Sequence, residues 1–266
     1  VSNDIINAPA NTVGAVSTGR LAALAAAAKE AAAKERPSLS KISLKAGIIS
    51  YGGQPVKDNA LEVIILAAIY KNVYYKGKYD PNNIVNPNCF AFSETDNDLA
   101  PSDVVTSPVN AACDGCPNNE WGSDPSGGRG KACKEGRRLV LLPATVLNDA
   151  DPIKAIKEGE LAIVDLPVMS VKNYSSYVNI LAASIGLPAW ACVTRLTTKP
   201  DAKSQFRVEF QGIKGVGSED ILDALETRKT DAIRIGLLGF DTVADESEAP
   251  PEGEGDGSKG KKAKKF

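Results

Sequence analysis

At 266 residues, with 43% apolar and 24% charged residues, the chain is long enough to bury one large core and has the balance of an ordinary globular protein. A formal net charge of -2 gives no overall attraction for nucleic acid, although the charges are strongly segregated along the sequence. Histidine is absent, which removes Ser-His-Asp and Cys-His nucleophile sets and histidine-ligated zinc hydrolases together, and no apolar run approaches the roughly 18 residues that a membrane span needs.

Residues 1–17 are small and polar and read as an arm. Thr18 or Ser17 then caps an alanine-rich run that Pro37 stops, with Glu30 and Lys34 spaced i to i+4. The large apolar residues in this run are Leu21 and Leu24, so the helix expected here is a solvated or partner-contacting one, or a spacer.

From Lys41 the period changes. Ile42, Leu44, Ala46 and Ile48 alternate with polar residues and predict a half-buried strand, a turn follows at residues 51–55, and residues 61–70 predict a more completely buried strand. The two read as an opening antiparallel pair. Beyond them, Tyr74, Tyr75 and Tyr79 interleave with Lys71, Lys76 and Lys78, which offers faces for unpaired bases and charges for phosphates. Tyrosines packed on a core rim among solubilising lysines would give the same pattern.

Residues 87–139 hold Cys89, Cys113, Cys116 and Cys133 in a stretch made largely of Gly, Pro, Asn, Asp and Ser. Such a segment has too few apolar residues for a core of its own and needs a staple. The Cys113-x2-Cys116 knuckle is the common way for two thiolates to reach one tetrahedral ion, and Cys89 and Cys133 complete a four-thiolate set, for which Zn2+ is the economical choice. Two disulfides, or unliganded thiols, are the competing readings; the opening VSNDIINAPA carries no secretory pattern, so a cytoplasmic location is expected. Cys192, in an apolar string, reads as a core residue.

Further strands are predicted over residues 137–146 and 160–168. Val171, Tyr174, Val178, Leu181 and Ile185 then mark an amphipathic helix with Ser170 as cap and Gly186 as stop. Strands over 190–198 and 206–212 flank a turn, and a short helix starts near Ser218. Six strand candidates without a repeated strand-helix-strand rhythm predict a mainly β (α+β) fold, an OB-like antiparallel barrel with a zinc-stapled insertion and flanking helices. The expected organisation is an arm and helix over 1–37, the OB-like domain over 38–240 with its insertion at 87–139, and a disordered charged tail over 241–266. That tail carries seven acids and five lysines and ends here in Phe266, a residue that could dock in a groove of a partner protein.

Around Cys133 stand Arg129, Lys131, Lys134, Arg137 and Arg138, with Trp121 close after Cys116. A metal-pinned basic loop with an aromatic ring, joined to the lysine and tyrosine rim at Lys71, Tyr74, Tyr75, Lys76, Lys78 and Tyr79, would make a groove for a single-stranded nucleic acid. No predicted helix is basic enough to read a duplex groove. Asp96, Asp98 and Asp103 could hold a catalytic metal, but acids in such a loop are more often simply solvated, so the expectation is a non-catalytic protein.

The elements KYDP at residues 78–81, PNCF at 87–90, CDGCPNNEWGS at 113–123, KAC at 131–133 and RRL at 137–139 together resemble a family of tailed-phage single-stranded-DNA-binding, replication-associated proteins. The looser similarity reaches about Phe210. The resemblance implies an OB-like core with an inserted zinc element, cooperative coating of single-stranded DNA with self-association on it, and a carboxy-terminal tail that recruits replication or recombination proteins in the host cytoplasm. Lys259, Lys261, Lys262, Lys264 and Lys265 depart from the acidic tail usual in such proteins, which puts recruitment of a basic partner in doubt. The alternative expectation is a virion structural or assembly protein whose zinc loop and tails contact neighbouring subunits.

Overall fold

The computed structural model describes residues 20, 24, 40–77 and 85–239. The chain divides into two compact units, residues 1–38 and 39–266, and the fold below is that of the second. The alanine-rich run, Lys78, Tyr79 and the charged tail with Phe266 lie outside the described residues.

The fold is a mixed α/β arrangement dominated by sheet. Its strands are β1 (Ser40–Lys41), β2 (Ser50–Tyr51), β3 (Gln54–Pro55), β4 (Ala60–Tyr74), β5 (Cys89–Ser93), β6 (Lys134–Pro143), β7 (Ala162–Leu166), β8 (Cys192–Asp201) and β9 (Gln205–Gly215). Its α-helices among the described residues are α1 (Pro152–Glu158), α2 (Val168–Ile185) and α3 (Glu219–Gly236). The main sheet runs β1-β7-β6-β4-β8-β9, with β5 also on β4; among the described residues no ladder joins β1 to β9. Among the described residues only the β1–β7 pair is parallel.

β4 is the axis of the sheet. It pairs with β6 along one edge and, along the other, with β8 over Ala60–Ile64 and then β5 over Tyr70–Tyr74, with an irregularity in the β6 register between Ile65 and Ala67. Alternation sends Val63, Ile65, Leu139, Leu141 and Val164 to one face, where Tyr174, Tyr177 and Leu181 of α2 cover them. Ile64, Leu66, Val140, Leu142 and Ile163 face the other way, against Ala224, Leu225 and Ala232 of α3 and Ile156 of α1. With both faces covered, the central strands read as apolar runs rather than as alternating ones.

Several expectations change. The alternation after Lys41 does not make one strand: Ser43 bridges Ser50, and a turn at Lys45–Gly47 puts Ala46 at φ 53°. β1 joins β7 instead of opening an antiparallel pair with β4. Ser170 is not the cap of α2, which starts after Pro167; its buried hydroxyl accepts from the Val208 N–H at 2.9 Å and so ties the helix to β9. Gly186 does end α2 in the left-handed conformation, at φ 65°. β5 inside the cysteine segment, the short β2–β3 pair and the short α1, whose Asp151 carboxylate accepts from Lys154 N–H at 3.0 Å, were not predicted.

Candidate functional site

Cys89 opens β5 opposite Tyr74 of β4, and Cys133 immediately precedes β6, so two of the four cysteines are fixed by strand pairing. Cys113 and Cys116 lie on the loop between. The Cys113 N–H donates to the Leu99 carbonyl at 3.0 Å, and Gly115, at φ 67°, turns the chain so that Cys116 N–H reaches back to the Cys113 carbonyl at 3.4 Å. Asn119 Nδ2 donates to that same carbonyl at 3.1 Å, and Cys133 N–H donates to the Asn118 carbonyl at 2.8 Å, closing the loop on itself.

All four thiols line one cavity of about 20 Å³, together with Tyr74 and Asn119, whose buried Oδ1 has no hydrogen-bond partner. None of the cysteines is in a disulfide. Burial, reinforced by the neighbouring Cys113, Cys89 and Cys116, pushes the Cys133 thiol up to about 12. Burial also raises Cys113 and Cys89; a hydrogen bond with Asn72 partly offsets the shift at Cys113, as does one with the Val109 backbone at Cys89. The Cys89, Cys113 and Cys133 sulfurs therefore resist ionisation in this environment. No group of three or more His, Cys, Asp or Glu among the described residues is already drawn in as a closed metal set.

Next to this cluster the loop presents Trp121, 76% exposed. Its base is held by the Ser123 hydroxyl, which donates to the Glu120 carbonyl at 2.6 Å and accepts from Ala132 N–H at 2.9 Å. Lys131 Nζ stands 5.4 Å from the Trp121 ring centroid and 2.6 Å from Glu135 Oε1. Lys134 Nζ is 2.9 Å from Asp124 Oδ2, and the Ser126 hydroxyl and N–H also bond Asp124, so its carboxyl falls to about 2. Arg129 and Lys76 are exposed.

Among the described residues, those predicted from sequence to contact nucleic acid do not form one surface. Lys71 and Arg138 are buried: Asp165 sits 3.1 Å from Lys71 Nζ and 2.9 Å from Arg138 Nε, and Arg138 Nη1 donates to the Leu238 carbonyl at 2.7 Å. Their charges hold β4, β6, β7 and the end of α3 together and are withdrawn from phosphates. Tyr74 and Tyr75 alternate to opposite faces, Tyr74 into the wall of the thiol cavity and Tyr75 against Val73 and Phe90. Arg137 is half-buried, its guanidinium carbon 3.3 Å from the ring centroid of Tyr70. Tyr70 was not predicted as a site residue, because it reads as the last apolar-strand position; its partnership with Arg137 is a cross-strand pairing that linear spacing does not reveal. Asp96, Asp98 and Asp103 do not converge on a metal set among the described residues; the Thr95 hydroxyl donates to Asp98.

No helix among the described residues is long and apolar enough to cross a membrane. No protein-family model, no curated protein and no solved structure matches the chain.

Proposed function

We propose that this chain is a non-catalytic single-stranded-DNA-binding protein, acting on phage replication or recombination intermediates, with a zinc-pinned clasp as part of its binding surface. The observation that carries the reading is Trp121, a large ring left 76% exposed on a loop otherwise closed by hydrogen bonds, beside Lys131 and within a segment that also exposes Arg129. An exposed aromatic fixed next to cations can stack an unpaired base while the phosphates find charge, and a base–aromatic stack contributes about 1–3 kcal/mol. Trp121→Ala should therefore weaken binding to a labelled single strand by roughly tenfold with little change in salt dependence. Equal binding by the folded variant would move the surface elsewhere.

Cys89, Cys113, Cys116 and Cys133 would hold the ion. The cavity has room for one small occupant, and Asn119, whose buried Oδ1 has no hydrogen-bond partner, lines it. A divalent cation supplies the charge that lets buried thiols ionise, releasing protons as it binds. Metal analysis of protein purified under reducing conditions should find about one zinc per chain; absence of metal together with two disulfides would refute this assignment.

The finer architecture we propose is OB-like. Its support is the way residues 42–49 cross the α2-side core, with Ile42 and Ile49 buried in it, to bring the Gly47 carbonyl to Thr198 Oγ1 and Gly47 against Phe206.

A second reading, an assembly protein, is favoured by one feature. Ile180 and Ile185 of α2 and Ile213 of β9 are exposed around a groove of about 650 Å³, the kind of apolar surface that subunits cover. The same patch would serve self-association on DNA. Assembly in the absence of DNA, with no preference for single strands, would favour the second reading over the first.

A further inference from the structure

Deepening the single-strand reading and resting on it, we infer that Arg137, held flat on Tyr70, forms a built phosphate site and is the principal phosphate anchor of the surface. Most cations near the clasp are already engaged. Lys131 meets Glu135, Lys134 meets Asp124, and Lys71 and Arg138 share Asp165. Arg137 differs from them: among the described residues no carboxylate pairs with it, and its one protein hydrogen bond runs from Nη1 to the Gly136 carbonyl at 3.0 Å.

Its orientation is nevertheless fixed. The β4–β6 register sets Tyr70 directly opposite Arg137, and the ring holds the guanidinium carbon at 3.3 Å. Tyr70 is itself packed against Ala91, Leu99 and Cys113, so the platform is built on the thiol-bearing loop. A half-buried guanidinium with its plane locked and its other N–H groups unspent matches two oxygens of one tetrahedral anion, and a phosphodiester is the anion that a single strand supplies. The ordering entropy of the side chain has been met before the ligand arrives, which is where an exposed lysine loses affinity.

Three variants and one direct readout test the site. Arg137→Gln should weaken binding of a labelled oligothymidylate by about tenfold or more at moderate salt and make the log-log salt slope shallower by about 0.7, one phosphate's share. Arg137→Lys keeps the charge and loses the fork, so affinity should fall several-fold with the slope retained. Tyr70→Leu keeps the apolar packing on Leu99 and should behave like Arg137→Lys. Thermal unfolding of each variant controls for folding, and Arg137→Lys remains informative if Arg137→Gln fails to fold. In the parent, the Arg137 side-chain N–H resonances should shift on titration with the oligonucleotide and, more weakly, with inorganic pyrophosphate. Parent-like affinity and slope for folded Arg137→Gln, or unmoved resonances while the oligonucleotide binds, would overturn the inference. If pyrophosphate moves the resonances and single strands do not bind at all, the anion site stands and the single-strand reading fails. Resonances unmoved by either ligand overturn the site.

Discussion

Asp165 carries more of this molecule than its place in a short strand suggests. Its carboxylate, 8% exposed, is the common partner of Lys71 and Arg138, which are buried beside it. Removing one partner of a buried ionic set leaves uncompensated charge, so Asp165→Asn should cost roughly 3–5 kcal/mol of stability, read as a lowered denaturant midpoint. A midpoint near the parent's would mean that the Leu238 carbonyl and the Phe92 ring, 4.3 Å from the Arg138 guanidinium, suffice to hold these cations. Lys71 and Arg138 also mark the limit of reading charge from sequence. They stand among basic neighbours and look like phosphate contacts; the acid that neutralises them arrives from β7, and only strand register reveals it. Asp124 has the opposite character, an exposed-loop acid whose role is local. Its carboxyl lies below its ordinary value of 3.8, at about 2, because Ser126 and Lys134 bond the ionised form. A depressed acid contributes stability that is complete above 3.8 and is lost as pH falls through about 2. Order at Trp121, followed by fluorescence anisotropy in a Trp190→Phe background, should therefore survive to about pH 3 and collapse below it. Asp124→Asn should abolish that acid limb.

At the scale of elements, the long apolar runs were legible and the short pieces were not. β4, β6, β7, β8, β9 and α2 announce themselves because many consecutive side chains obey one period. α1 has a single fully buried residue, Ile156, and β1 has only two residues, so neither carries a periodic signal. The alternation at Ile42 to Ile48 was misleading in sequence because Ala46 adopts a left-handed conformation, at a cost set by the surrounding packing. The gathering of Cys89, Cys113, Cys116 and Cys133 was legible; that β5 and β6 supply the frame for two of them was not. Close packing sets a further constraint on α3. A Cβ added at Gly236 would stand 2.6 Å from Ile69 Cγ1 and 3.0 Å from Val140 Cγ2, so helix and sheet meet there without room for a methyl group. Gly236→Ala should destabilise by about 1–3 kcal/mol despite the better helix propensity of alanine. An unchanged or raised thermal midpoint would show that α3 can slide on the sheet.

Over the whole molecule, the division of labour follows from the two covered faces of the sheet. α3 and α1 close one face and α2 the other, and the proposed binding surface lies at the β4–β5 end, the thiol loop and the Arg137 platform. The chain after Phe240 carries seven acids and five lysines. Truncation after Phe240 should leave the domain folded and single-strand affinity equal or higher, since net negative charge competes with phosphates; a clear loss of affinity would assign the lysines a direct contact. The proposed function has a metal-pinned clasp make a single-strand-binding surface. It is tested most directly by titrating labelled single-stranded and duplex oligonucleotides, at several salt concentrations, with one preparation divided into zinc-loaded and zinc-stripped halves. The account predicts that the loaded protein prefers single strands, with an affinity falling linearly in log salt, and that stripping weakens this binding while the sheet remains folded. Equal binding of single strands and duplex, or single-strand binding indifferent to the metal, would contradict it.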